Sequence, residues 1–183
     1  MRAVDIVITV GWIAFWIYWL AASTTAKAGR GNWTRFAGIR IGLVVIVLLG
    51  LRLGVLKGHQ AAVTDPLLWG IGLAAWTVGL GLAIWARLYI GRNWGMPMTQ
   101  KAEPELVTTG PYHRVRHPIY SGIILAMAGT AIAVSLYWLV AVALIGGYFI
   151  YSAVMEERYM AGQFPDSYPA YQQSTKMLIP FIF

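Results

Sequence analysis

LLWGIGLAAWTVGLGLAIWA, residues 67–86, carries no charge and nothing more polar than one threonine over twenty positions. At 1.5 Å of rise per residue, a helix of that length reaches about 30 Å, the thickness of a bilayer's hydrocarbon core. The stretch therefore reads as a transmembrane helix, and four further runs repeat the reading: 4–22, 38–56, 120–135 and 136–154. The last two are nearly continuous and too long for one crossing, so a break near Ser135 predicts a helical hairpin with Tyr137 and Trp138 at the interface. The first run is longer than a signal-peptide core and is expected to be a span.

Composition agrees. Hydrophobic residues make up 58% of the 183, and the mean hydropathy is +0.62, well outside the range of soluble domains. The expected fold class is an all-α integral membrane protein, one membrane domain over 1–183 with about five transmembrane helices. Lys27, Arg30, Arg35 and Arg40 follow the first run, and Arg87, Arg92, Lys101, Arg114 and Arg116 lie between the third and fourth. With Arg158 and Lys176 these crowd one side, against Arg2, Arg52 and Lys57 on the other. The positive-inside rule then places the N-terminus outside and the C-terminal tail in the cytoplasm, which five spans satisfy.

The net charge of +7 is accounted for by this topology and by anionic lipid headgroups. No basic run interleaved with aromatics sits on a soluble domain, so nucleic acid is not an expected partner. With zero cysteines, thiol catalysis and cysteine-based metal sites are excluded, and no metal is expected.

Two cytoplasmic segments, 87–119 and 155–183, are long enough to build a site. Arg87 and Arg92 stand where the third span leaves the membrane, a place where long cations snorkel. Gly110-Pro111 marks a turn; Pro118 bars His117 from helical geometry and starts the fourth span. Irregular backbone at membrane depth is tolerated where it is buried or lines a cavity, so the turn bearing Tyr112, His113, Arg114, Arg116, His117 and Tyr120 is a candidate site. Glu156 and Glu157 stand at the exit of the fifth run, where adjacent carboxylates oppose the helix dipole unless the helix continues or a cation is near. An antiparallel hairpin would let Arg116 face Glu156. The tail FPDSYPAY places Tyr168 and Tyr171 on one face of a turn, and MLIPFIF is apolar enough to dock on the bilayer or the bundle.

Taken together, LVTTGPYHRVRHPIYSG, the Glu156-Glu157 pair and the tail's Phe164, Tyr168 and Tyr171 resemble the isoprenylcysteine carboxyl methyltransferase family and its kin among membrane-embedded phospholipid and thiol methyltransferases. The resemblance covers roughly residues 85–183. It implies S-adenosylmethionine as cofactor and S-adenosylhomocysteine as product, bound on the cytoplasmic side. Carried over by position, the cofactor contacts are Pro104, Glu105, Leu106, Val107, Tyr112, Arg116, His117, Pro118, Ile119, Tyr120, Glu156 and Glu157, with Arg116, His117 and Glu156 as catalytic candidates. At Ser152 the prenylcysteine enzymes carry an arginine associated with the substrate carboxylate.

The residue types suit that cofactor. An arginine can grip a carboxylate through two hydrogen bonds, a glutamate can accept from an ammonium or a ribose diol, and tyrosine rings can lie against adenine or sulfonium. The expected acceptor is lipophilic and delivered by the membrane, like an isoprenylcysteine carboxylate; a phospholipid amine or a small thiol is the alternative. An amine needs a base, for which His113 or His117 is the candidate. A non-catalytic scaffold or a transporter is the reading from another class. Transport predicts ionisable residues in mid-span, and the charged residues in the runs are Asp5, Arg40 and Arg52, all near their ends.

Overall fold

In the computed structural model, the described residues are 2–24, 29–31, 42, 62–95, 99–101 and 105–183. The expected span 38–56, apart from Gly42, and the candidate Pro104 lie outside them. Helices α1 (Ala3–Ser23), α2 (Pro66–Ile90), α3 (Pro118–Ala133), α4 (Trp138–Gln163) and α5 (Tyr168–Ser174) carry the fold. Three are long and apolar enough to cross a membrane: Ala3–Ser23, Pro66–Asn93 (α2 with the 3-10 turn Gly91–Asn93) and Trp138–Gln163. At 16 residues, α3 is about 24 Å long, shorter than the hydrocarbon core.

The expected all-α class holds for the elements that carry the fold, and one short ladder adds to them. Strands β1 (Gly29–Gly31) and β2 (Thr99–Lys101) pair antiparallel, Arg30 opposite Gln100. The ladder ties the segment after α1 to the segment after α2.

Local chemistry sets the helix ends. Asp65 caps α2 by accepting from the Leu67 amide at 2.8 Å, Pro66 occupies the first turn, and Gly91 ends the helix at a positive φ of 54°. Pro118 starts α3, which stops at Ala133; α4 begins at Trp138, so the hairpin turns around buried Ser135.

Glycine decides how closely α2 and α3 pack. A Cβ on Gly72 would lie 2.6 Å from the Gly129 carbonyl oxygen, and one on Gly122 would lie 2.6 Å from that of Gly79. The two backbones thus touch directly, as small residues allow where lipid supplies no hydrophobic drive. A Cβ on Gly70 or Gly81 would meet nothing within 4 Å, so of these four glycines of α2 it is Gly72 and Gly79 that serve the contact.

Each end of the bundle is tied by a guanidinium. Arg2 donates to the carbonyls of Val63 and, at 3.0 Å, Val134, pairs with Asp5 at 2.7 Å, and lies 5.5 Å over the Trp69 ring. At the other end Arg87 departs from the snorkelling expectation. It is 3% exposed, donates to the Ala22 and Gly91 carbonyls at 2.5 and 2.8 Å, and lies 4.7 Å over Trp94. Its charge answers the partial negative ends of α1 and α2, which meet there side by side and so run in the same direction.

Candidate functional site

The turn before α3 is built by its glycine and prolines. Gly110 adopts φ 60°, and a Cβ there would meet the Tyr89 ring at 2.5 Å, so the position needs glycine for both conformation and space. The 3-10 turn Gly110–His113 buries Tyr112, whose hydroxyl donates to the Ala86 carbonyl at 3.3 Å. His117 then sits at φ −125°, ψ 58°, outside helical geometry, and Pro118 behind it is fully buried. The irregular backbone finds its partners in the C-terminal segment. The amides of Arg116 and His117 donate to the carbonyls of Lys176 and Met177 at 2.8 and 3.1 Å, and Ser121 Oγ donates to that of Leu178 at 2.6 Å.

Side chains close the same junction. Arg116 Nε donates to Glu157 Oε1 at 2.7 Å; its Nη1 reaches the carbonyls of Gln172 and Thr175 at 3.1 and 2.8 Å. Gln172 Nε2 donates to the other Glu157 oxygen at 2.9 Å, and His117 Nε2 stands 3.3 Å from Oε1. Glu156 turns to another face. Its Oε1 accepts from the Tyr120 hydroxyl at 2.6 Å, and His117 Nδ1 lies 3.5 Å from its Oε2. The His117, Tyr120 and Phe149 rings stack in parallel, with centroids 5.4 and 4.6 Å apart.

The expected pairing of Arg116 with Glu156 is therefore replaced by Arg116 with Glu157. Neighbouring residues on a helix point about 100° apart, and the rotation of α4 turns Glu157 toward the latch that Arg116 forms with Gln172 and Thr175 of the C-terminal segment. Both ion-pair side chains are nearly buried, at 8% and 7% exposure, whereas the Glu156 side chain is 27% exposed. A two-pronged grip by Arg116 on a cofactor carboxylate would need an edge that already holds protein acceptors.

The remaining candidates divide. Arg116, His117, Tyr120, Glu156 and Glu157 converge in one cluster; Tyr112 joins it through Tyr171, whose hydroxyl donates to the Tyr112 carbonyl at 2.6 Å. Ile119 is buried beside them. Glu105 instead accepts from buried Asn93 at 2.6 Å, and Leu106 and Val107 are half-buried. His113 and Arg114 are exposed. Ser152 is fully buried and donates to the Tyr148 carbonyl of its own helix at 2.8 Å. Gln172, Thr175 and Phe149 went unnoticed in the sequence: an amide, a hydroxyl and one more aromatic in an apolar chain give no pattern of their own.

Three tyrosines near the latch are held neutral. Burial raises Tyr112 and Tyr168 well above the ordinary phenol value, and burial likewise pushes Tyr171 up to about 12 against the opposing effect of Arg116. Among the described residues no group of three or more histidines, cysteines or acids is arranged to hold a metal ion.

Residues 68–167 match the phospholipid methyltransferase family. A curated relative, the cobalt-zinc-cadmium resistance protein CzcN of Cupriavidus metallidurans, is 27% identical over an alignment of 146 residues that covers 77% of this chain. The chain spans 63% of that relative's length. The family match covers the third apolar run, the Gly110 turn, the hairpin and both adjacent glutamates, and with it the chain belongs to the phospholipid methyltransferase family of membrane methyltransferases.

Proposed function

We propose that this chain transfers a methyl group from S-adenosylmethionine to a lipophilic amine or thiol that reaches the site from the membrane. In this reading five spans place residues 87–119 and 155–183 on the cytoplasmic side. The parallel course of α1 and α2 is what one further crossing between them requires. The observation that carries the site is the division of labour between neighbouring carboxylates: Glu157 holds the latch, and Glu156 stays partly exposed beside the His117 and Tyr120 rings.

The donor set fits the cofactor in part. Glu156 would accept from its ammonium or ribose hydroxyls, held in one rotamer by Tyr120, and the His117 ring, stacked on Tyr120, offers its outer face. Arg116 acts one step back, as a positioning residue that keeps the C-terminal segment on the turn. When bound, the cofactor supplies a methyl group on a sulfonium and leaves as its thioether. An amine acceptor releases a proton on methylation, and His117 Nδ1 with Glu156 is the proton acceptor in this reading.

The isoprenylcysteine carboxylate has less support. Its recognition in related enzymes uses an arginine at the position of Ser152, which here is buried within its own helix. A phospholipid amine agrees with the family's description, and a small thiol would use the same site. The experiment is transfer of a radiolabelled methyl group from S-adenosylmethionine into a membrane lipid extract by purified protein. Label in an amine-bearing lipid, abolished by Glu156→Gln, is the expected result. Transfer that is unaffected by that substitution, or no cofactor binding by well-folded protein, overturns the proposal.

A further inference from the structure

Beyond the latch the C-terminal segment does something the site itself does not require. After Leu178, which is buried, the chain doubles back: the amides of Leu178 and Ile179 both donate to the Phe183 carbonyl, at 2.7 and 2.5 Å, and the Phe183 amide returns to Ile179 O at 3.0 Å. Phe181 turns this corner at φ 67°, a left-handed conformation that non-glycine residues rarely adopt. The result is a tip that turns apolar side chains outward. Ile179, Phe181, Ile182 and Phe183 are 51%, 81%, 77% and 46% exposed.

The depth of this tip follows from the packing. Gly122 abuts the backbone at Gly79 and Ala83, so neighbouring Ser121 stands about one helical turn inside Ala86, where the apolar run 67–86 ends. Ser121 Oγ holds the Leu178 carbonyl, which sets the base of the tip at the edge of the hydrocarbon zone. Two cations flank it: the Arg114 guanidinium lies 5.9 Å from the centre of the Phe181 ring, and the Lys176 side chain is exposed at the start of the strap 176–178. Apolar side chains at the boundary, with arginine and lysine beside them, match the layout of an interfacial anchor for anionic lipid.

We propose that residues 179–183 insert into the boundary between headgroups and acyl chains of an anionic leaflet, and that this insertion keeps the strap 176–178 seated on the turn before α3. The bilayer covers the exposed tip, and the strap shares its backbone hydrogen bonds with Arg116 and His117. This inference rests on the membrane setting and not on methyl transfer.

The absence of native cysteines makes a clean test possible. Ile182→Cys and Gln173→Cys are each labelled with a nitroxide in vesicles of phosphatidylcholine with about one third phosphatidylglycerol. Collision with oxygen relative to a water-soluble nickel chelate should be several-fold higher at 182 than at 173, and should fall at 182 in pure phosphatidylcholine. Equal ratios at the two positions overturn insertion, and so does spin–spin broadening at 182 that reports a second copy as the occupant. A second readout is trypsin cleavage at Lys176. Phe181→Ser/Ile182→Ser should accelerate it at least fivefold in the same vesicles, and an unchanged rate overturns the coupling to the strap.

Discussion

Arg116 and Glu157, 41 positions apart, form a nearly buried ion pair at 2.7 Å that is buttressed by hydrogen bonds to Gln172 and Thr175. The pair links the start of α3, the end of α4 and the C-terminal segment. Removing one partner leaves the other charged in a poorly solvated place, which costs about 3–5 kcal/mol. Glu157→Ala should lower the thermal midpoint sharply and release the tail to protease. Arg116→Met/Glu157→Leu should recover most of that loss, because replacing both charges by apolar groups removes the desolvation problem. A double variant as unstable as the single one would contradict a structural role for the pair.

Glu156→Gln is expected to behave differently. The side chain is partly exposed, and the amide oxygen can still accept from Tyr120, so the thermal midpoint should move little. Calorimetric titration should show S-adenosylmethionine binding weakened at least tenfold, about 1.4 kcal/mol, for loss of a charge-assisted hydrogen bond. Equal affinities in the two proteins would remove Glu156 from the site.

How far the sequence carries this picture depends on what each feature needs. Uninterrupted apolar runs are legible because a helix must satisfy its own backbone in hydrocarbon, and the break at Ser135 shows as a run too long for one crossing. The proline-bracketed turn is legible because Pro118 fixes its neighbours' backbone. The choice between Glu156 and Glu157 is not, since it depends on the rotation of α4, which no local rule sets. Arg87 misleads for a similar reason. A cation at a helix end looks like a snorkelling anchor until a second helix end is found against it, offering the Ala22 carbonyl.

The glycine contacts between α2 and α3 give a position-specific prediction. Gly79→Val must push the Gly122 and Ala126 backbone away, and overpacking of this kind costs roughly 1–3 kcal/mol or more. Gly81→Ala, two residues on, meets open space and should be neutral or stabilise by up to about 1 kcal/mol through better helix propensity. Thermal unfolding in detergent separates the two. Similar losses at both positions would mean that the close α2–α3 contact is wrong.

Alkaline titration examines the seating of the tail. Tyr171 donates its hydroxyl proton to the Tyr112 carbonyl, and burial pushes it up to about 12 from an ordinary value near 10. A folded-state value above the unfolded one means that the native protein holds this proton more tightly between those limits. Its contribution to stability is thus intact below about pH 10 and is lost as pH rises toward about 12. Phenolate absorbance near 295 nm should show Tyr171 as a late component, absent in Tyr171→Phe, with the tail becoming trypsin-sensitive over the same interval. A Tyr171 component near pH 10, with the tail still protected, would contradict the buried hydrogen bond.

Ser152→Arg offers the sharpest test of the acceptor. If this position faced substrate, as the arginine at the corresponding place does in prenylcysteine enzymes, the substitution would create or improve transfer to a prenylcysteine carboxylate. Ser152 has no exposed surface, and its hydroxyl is bonded to the Tyr148 carbonyl, so an arginine there must bury a charge or displace α4. The expected result is a destabilised protein, with a thermal midpoint lowered by many degrees and no transfer to a prenylcysteine analogue. A stable variant that methylates such an analogue would return the carboxylate to the leading place and show that α4 presents this position to the acceptor.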